Sequence, residues 1–153
     1  MNIINAQVEV LKEAFKEKRK YKNIIYGTLE DKVIIGNNTT LYVIPKKECA
    51  IDLTNIDSNN VKIIQESVLK GFINDDKYTR VILTNDIKVY DKRTLRVFSK
   101  DDEKIYVDDD LLKYFDLKKS TFKGYNSKSP IYIYEYEVMV GMVLPVVGIV
   151  ESL

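Results

Sequence analysis

Residues that carry most enzyme chemistry are scarce in this sequence. It contains no histidine, so the commonest general base and every nucleophile paired with histidine are excluded. Cys49 is the only cysteine, which leaves no disulfide framework and no zinc site built on paired cysteines. Neither a glycine-rich phosphate-binding loop nor a dinucleotide-binding motif is present. We therefore predict a protein without catalytic residues and without a cofactor.

Carboxylates are the remaining groups with a possible chemical role. They are densest in two runs, Asp101–Glu103 and Asp108–Asp110, and carboxylate oxygens are the ligands that Mg²⁺ and Ca²⁺ prefer. Acidic residues just before a helix are also favoured by its unpaired amide groups and its dipole, with Asp108 and Asp109 as caps. This second interpretation needs no metal, so we predict no metal ligands and keep a metal-dependent phosphodiesterase as the third functional hypothesis.

A shorter acidic pattern resembles a nuclease site. Asp86-Ile87-Lys88, with Asp52 upstream, is similar to the Asp and Asp-x-Lys arrangement of restriction-like nucleases. A tight turn at Asn85-Asp86, between strands predicted at Thr79–Thr84 and Ile87–Tyr90, accounts for the same residues. We adopt the turn as the prediction.

A local excess of positive charge lies near the end of the first predicted helix. Six cations face two carboxylates there, although the net charge of the whole chain is only +1. Such a cluster supplies the salt-dependent part of nucleic-acid binding, and the helix dipole also favours cations at this end. The candidate nucleic-acid-binding residues are Lys12, Lys16, Lys18, Arg19, Lys20 and Lys22.

Tyrosines alternate with other residues near the C-terminus. Tyr132, Tyr134 and Tyr136 are two residues apart, so in a strand they share one face, while Ile131 and Ile133 share the other. Exposed rings of this kind stack on bases or anchor a protein partner, and they also pack across strands in a half-buried sheet. The three tyrosines are the candidate partner-binding residues.

Hydrophobic periodicity predicts an α+β fold. Helical spacing over Asn5–Lys20 precedes strand-like runs to Thr54, and helical spacing over Asn60–Phe72 precedes strand-like runs to Val107. We predict two units, each a helix plus an antiparallel meander, at residues 5–54 and 60–107. An extension over residues 108–153 adds a helix at Asp110–Phe115, a polar connection and a β-hairpin. All 153 residues are predicted to form one domain.

Two resemblances accompany this pattern. The C-terminal third, including Lys104-Ile105-Tyr106-Val107 and Val143-Leu144-Pro145-Val146, resembles the end of small uncharacterised proteins of phages and mobile elements of Gram-positive bacteria. The repeated helix and meander resemble one domain of a DNA sliding clamp, although bacterial clamps usually carry three such domains in each chain. The clamp resemblance implies that the phosphates of DNA lie near Lys12, Lys16, Arg19, Lys20, Lys62 and Lys70.

These observations leave three hypotheses open. The first is a non-enzymatic, phage-associated accessory protein with a clamp-like fold that contacts DNA or a replication protein. The second is a protein-interaction module, an inhibitor or assembly factor, that uses the tyrosine-rich hairpin; self-association is a further expectation. The N-terminus lacks the pattern of a secretory signal, and the apolar run Val138–Val150 is shorter than the roughly 20 residues of a membrane span, so we expect a cytoplasmic protein without membrane contact.

Overall fold

The computed structural model describes residues 1–15, 24–54, 61–65 and 76–149. The chain divides into two compact units, an N-terminal unit at Met1–Asp75 and a C-terminal unit at Asp76–Leu153. Strands dominate both units, and the described residues contain one α-helix. No helix in this part of the chain has the length and apolar character that a bilayer span requires.

The N-terminal unit is a small sheet with one helix against it. Its elements are α1 (Ile3–Ala14), β1 (Ile24–Leu29), β2 (Lys32–Gly36), β3 (Thr40–Pro45), a 3₁₀ turn at Lys46–Glu48 and β4 (Val61–Ile63). The strand order is β4-β1-β2-β3, in which β1, β2 and β3 form an antiparallel meander and β4 joins β1 in parallel. The predicted meander over these three strands is therefore confirmed.

Helix α1 packs on β1 and β2 through its small residues. Ala6, Val10 and Ala14 are buried, because short side chains allow the helix backbone to approach the sheet closely. The larger apolar side chains whose spacing predicted this helix, Val8, Leu11 and Phe15, remain 39–63% exposed, and Ile4 is 73% exposed. The N-cap is Asn2, whose Oδ1 accepts a hydrogen bond from Asn5 N at 3.1 Å, so the helix begins two residues before the predicted start at Asn5.

Gln7 fastens α1 to the chain that follows β3. Its Nε2 donates to the carbonyl oxygen of Glu48 at 3.0 Å, and its Oε1 accepts from Ala50 N at 2.7 Å. The side chain is buried, so these hydrogen bonds are made away from solvent. The strand-like runs were predicted to continue to Thr54, but Cys49–Thr54 does not form a strand.

Replacing Gln7 by Leu is expected to lower the free energy of unfolding by about 1–2 kcal/mol, because two tertiary hydrogen bonds are lost while the buried volume is kept. Urea denaturation followed by circular dichroism measures this change. Lys12→Leu is the matched control, since Lys12 is exposed on the same helix and its replacement should change stability by less than about 0.5 kcal/mol. Equal effects of the two variants would contradict the assigned role of Gln7.

The C-terminal unit is an antiparallel sheet of six strands. They are β5 (Thr79–Tyr90), β6 (Arg93–Lys100), β7 (Glu103–Asp108), β8 (Ser120–Gly124), β9 (Ile131–Glu135) and β10 (Val138–Val143). The order is β10-β9-β8-β5-β6-β7. Val146 N, just after β10, donates to the carbonyl oxygen of Tyr106 in β7 at 2.8 Å. This hydrogen bond connects the segment after β10 to β7, a strand that is not a neighbour of β10 in the sheet.

The long strand β5 pairs with two neighbours along different parts of its length. Residues 79–81 pair with β8, whereas residues 82–90 pair with β6. The predicted turn at Asn85-Asp86 is wrong, because these residues form an irregularity within β5, where Thr84 Oγ1 donates to the carbonyl oxygen of Val97 at 2.8 Å. A side-chain hydrogen bond thus spans the interrupted ladder and keeps β5 continuous.

The predicted fold of two helix-plus-meander units, and with it the clamp-like architecture, is wrong. Val61–Ile63, the start of the second predicted helix, forms β4, and Ile64 N continues the pairing by donating to the carbonyl oxygen of Tyr26 at 2.9 Å. The rest of that helix, residues 66–72, lies outside the described residues. Pairing with β1 satisfies backbone groups that a helix would otherwise satisfy internally. The prediction of one domain stays a prediction.

The helix predicted at Asp110–Phe115 is a 3₁₀ turn at Asp109–Leu112. The cap is Asp108, as predicted, and its Oδ1 accepts from Asp110 N at 3.0 Å. Leu112 and Phe115 are both buried, and Phe115 N donates to the carbonyl oxygen of Leu112 at 3.0 Å. Burying both side chains from so short a segment favours the tighter turn over a regular α-helix.

Candidate functional site

The sheet formed by β5, β8 and β9 separates a buried face from a polar, aromatic one. Val81, Phe122 and Ile133 point to the core and are 0–5% exposed. Side chains of the alternate residues point away from this core, because successive side chains in a strand lie on opposite faces. We call this surface the tyrosine-cation face; its members are Tyr78, Arg80, Thr121, Lys123, Tyr125, Tyr132 and Tyr134.

Tyr78 contacts two other tyrosines of this face. The rings of Tyr78 and Tyr132 meet edge to face with centroids 4.7 Å apart, and the rings of Tyr78 and Tyr125 are 6.1 Å apart. Tyr132 is only 4% exposed, whereas Tyr125 is 43% exposed. Tyr132 therefore forms the packed floor of the face, and Tyr125 presents its ring to solvent.

Cations lie against the accessible rings. Lys123 Nζ is 5.0 Å from the ring centroid of Tyr134, and Lys100 Nζ is 5.3 Å from that of Tyr125. Lys100 Nζ also donates to the carbonyl oxygen of Tyr125 at 2.8 Å, which holds the ammonium beside this ring. Each arrangement is a cation-π pair, and the two pairs place positive charge next to an aromatic surface twice on the same side of the unit.

Two cations of the face lie directly opposite each other. Arg80 in β5 is paired in register with Lys123 in β8, which is paired in turn with Tyr132 in β9. Both cations are exposed, and among the described residues neither forms an ion pair with a carboxylate. Like charges at directly opposite positions destabilise an antiparallel pair. The sheet thus holds a repulsive pair that an anionic ligand would neutralise.

Arg80 and Lys123 line a groove of about 440 Å³. Its lining combines the two cations, an aromatic ring and one carboxylate; the residues are Arg80, Thr121, Phe122, Lys123, Tyr134 and Glu137. Burial raises the pKa of the Tyr134 phenol above its usual value of 10.0, so this ring is neutral at physiological pH. The groove therefore offers positive charge, a neutral ring and a carboxylate side by side.

The three predicted partner-binding tyrosines have different positions. Tyr132 and Tyr134 share the tyrosine-cation face, as their spacing predicted, while Ile131 and Ile133 are buried in the core. Tyr136 occupies the turn between β9 and β10 and is 81% exposed. Tyr136 and Glu137 form the turn between these strands, so the β-hairpin predicted within residues 108–153 is confirmed.

The predicted nucleic-acid-binding residues fall almost entirely outside the described part of the chain. Lys12 is exposed on α1. The remaining five, which are not described by the structure, are Lys16, Lys18, Arg19, Lys20 and Lys22. DNA binding at this cluster stays a prediction.

The acidic runs are occupied by structural interactions. Asp109 pairs with Arg96 at 3.5 Å, Asp110 pairs with Lys113 at 3.4 Å, and Glu103 accepts a hydrogen bond from Ser127 N at 2.9 Å. Asp52, in the other unit, accepts from Thr54 N and Thr54 Oγ1, and these hydrogen bonds lower its pKa. Within the described ranges, no group of three or more Cys, Asp or Glu side chains is arranged to hold a metal ion.

Arg80 and Lys123 were not predicted as site residues. Lys123 lies in β8, a strand within the segment Lys118–Ser129 that was predicted to be a polar connection. The signal available was the alternation of Thr121, Phe122, Lys123 and Gly124, in which one apolar residue stands among polar ones. So short an alternation indicates a strand only when the neighbouring strands are known.

Comparison of the chain with protein-family models, with curated proteins and with solved structures gives no match. The resemblance to proteins of phages and mobile elements therefore stays a prediction.

Proposed function

We propose that this protein is a non-enzymatic binding module that holds single-stranded nucleic acid on the tyrosine-cation face. The observation that carries the proposal is the unneutralised pair of Arg80 and Lys123 beside the ring of Tyr134. Cations that contact phosphates release condensed counterions, and aromatic side chains stack on bases without regard to sequence. The face combines both kinds of contact.

The two cation-π pairs favour a nucleotide chain over other anions as the ligand. Each nucleotide carries one phosphate and one base, and each cation-π pair, Lys123 with Tyr134 and Lys100 with Tyr125, offers a contact for both. An acidic peptide would use the cations alone. Bases within a duplex stack on one another and are not available to side chains on a sheet, which favours a single strand.

Fluorescence anisotropy with a labelled oligonucleotide of about 15 nucleotides tests the proposal. We expect binding at low ionic strength with a slope of log K against log salt of about −1.4 to −2.1, which corresponds to two or three neutralised phosphates. A duplex of the same sequence should bind at least about fivefold more weakly.

Two results would contradict the proposal. One is the absence of salt-dependent binding to the single strand. The other is equal competition by a polyglutamate peptide of similar charge, which would show that the face selects acidic chains by charge alone and that the tyrosines do not contact bases.

A further inference from the structure

Glu137 is an unexpected residue in a groove for nucleic acid. Its carboxylate lines the groove together with Arg80, Lys123 and Tyr134. Among the described residues it has no hydrogen bond and no ion pair, and it is exposed to solvent. A carboxylate repels phosphate, so its position beside two cations weakens the contact that those cations make. A hydrogen-bond donor elsewhere in the ligand would contact this carboxylate favourably.

We infer that Glu137 selects cytosine over thymine in the bound strand. The inference rests on the proposed function. A carboxylate only accepts hydrogen bonds, and the exocyclic amino group of cytosine donates them, whereas thymine presents a carbonyl oxygen at the same position. A base beside Tyr134 with its edge toward Glu137 is therefore favoured when that edge carries an amino group. The two cations neutralise phosphates of the same strand.

The turn that carries Glu137 has a defined backbone conformation. Tyr136 and Glu137 have φ angles of 49° and 65°, the left-handed values of a two-residue hairpin turn. Glu135 and Val138 pair on either side of the turn. The turn therefore fixes where the side chain of Glu137 leaves the backbone, at the edge of the groove that it lines.

Anisotropy titrations with labelled oligo-dC and oligo-dT of about 15 nucleotides test the inference, at slightly alkaline pH where cytosine is neutral. The full chain should bind oligo-dC about tenfold more tightly than oligo-dT. In Glu137→Gln the ratio should fall to about one, mainly because oligo-dT binds more tightly once the carboxylate is removed. Glu137→Gly also removes the carboxylate and suits the positive φ angle, so it should give the same ratio in a folded protein.

Asp91→Asn is the matched control. Asp91 lies in a different two-residue hairpin turn, between β5 and β6, with a φ angle of 49°, and its replacement removes the same charge outside the groove. It should leave the tenfold ratio unchanged. Equal binding of the two oligonucleotides by the unmodified chain, or an unchanged ratio in both Glu137 variants, overturns the inference but not the proposed function. Failure of both oligonucleotides to bind overturns both.

Discussion

Arg80→Glu is expected to weaken binding of a single-stranded oligonucleotide by more than about tenfold and, at the same time, to raise the free energy of unfolding by about 0.5 kcal/mol. Binding falls because one phosphate contact is lost and a second carboxylate enters the groove. Stability rises because the new carboxylate lies directly opposite Lys123, which turns a repulsive cross-strand pair into an attractive one. Anisotropy and urea denaturation measure the two effects on the same preparation.

Because binding is expected to weaken while the free energy of unfolding rises, the two measurements distinguish a lost ligand contact from partial unfolding. A variant that bound weakly because it was partly unfolded would lose stability as well. Arg93→Glu is the control, because Arg93 is an exposed cation at the start of β6 and outside the tyrosine-cation face, so this change of charge should alter binding less than about threefold. Similar weakening by both variants would show that net charge alone governs binding.

The double variant Arg80→Glu with Lys123→Glu places two carboxylates, in place of two cations, at directly opposite positions. We expect binding to fall by about 100-fold or more, since two phosphate contacts become repulsive, while stability returns to about that of the unmodified chain. An intermediate loss no larger than that of Arg80→Glu would mean that Lys123 does not contact the ligand.

Phe98→Ala is expected to have the largest effect on stability, a loss of about 3–5 kcal/mol. Phe98 is fully buried in the core of the C-terminal unit and meets Phe122 edge to face with centroids 4.9 Å apart. Truncation leaves a cavity and removes this aromatic contact. Since Phe122 also lines the groove and precedes Lys123, the face should lose its geometry with the core.

Phe98→Leu keeps most of the buried volume and should cost only about 1–2 kcal/mol. Urea denaturation of both variants gives the two values, and oligonucleotide binding by Phe98→Leu should remain within about threefold of the unmodified chain. A loss below about 1 kcal/mol in Phe98→Ala would place Phe98 outside the core that supports the face.

Several elements were predictable because their signals are local. The meander from Ile24 to Pro45 is rich in β-branched residues and is broken by polar pairs. The alternation of Ile131, Tyr132, Ile133 and Tyr134 specifies a strand with an apolar and an aromatic face, and that division is present in the structure. Helix α1 was also predicted, because its apolar residues recur at helical spacing.

Other elements depended on partners that are distant in sequence. The apolar spacing that begins at Val61 fits a helix, yet Val61–Ile63 pairs with β1, whose residues lie more than thirty positions earlier. Helical spacing also failed to identify the packed side of α1, because both Val8 and Val10 are apolar and only the sheet determines which is buried. Intrinsic preference is too weak to settle either choice when tertiary pairing opposes it.

The sequence by itself determined that histidine chemistry and paired-cysteine sites are impossible, and that the tyrosines of the last hairpin alternate with core residues. Residue type and periodicity carry that information directly. Only the tertiary structure decided that Arg80, Lys123, Tyr134 and Glu137 share one groove. These residues come from three strands and a turn, and hydrogen-bond register between strands places them together, which short-range pattern does not encode.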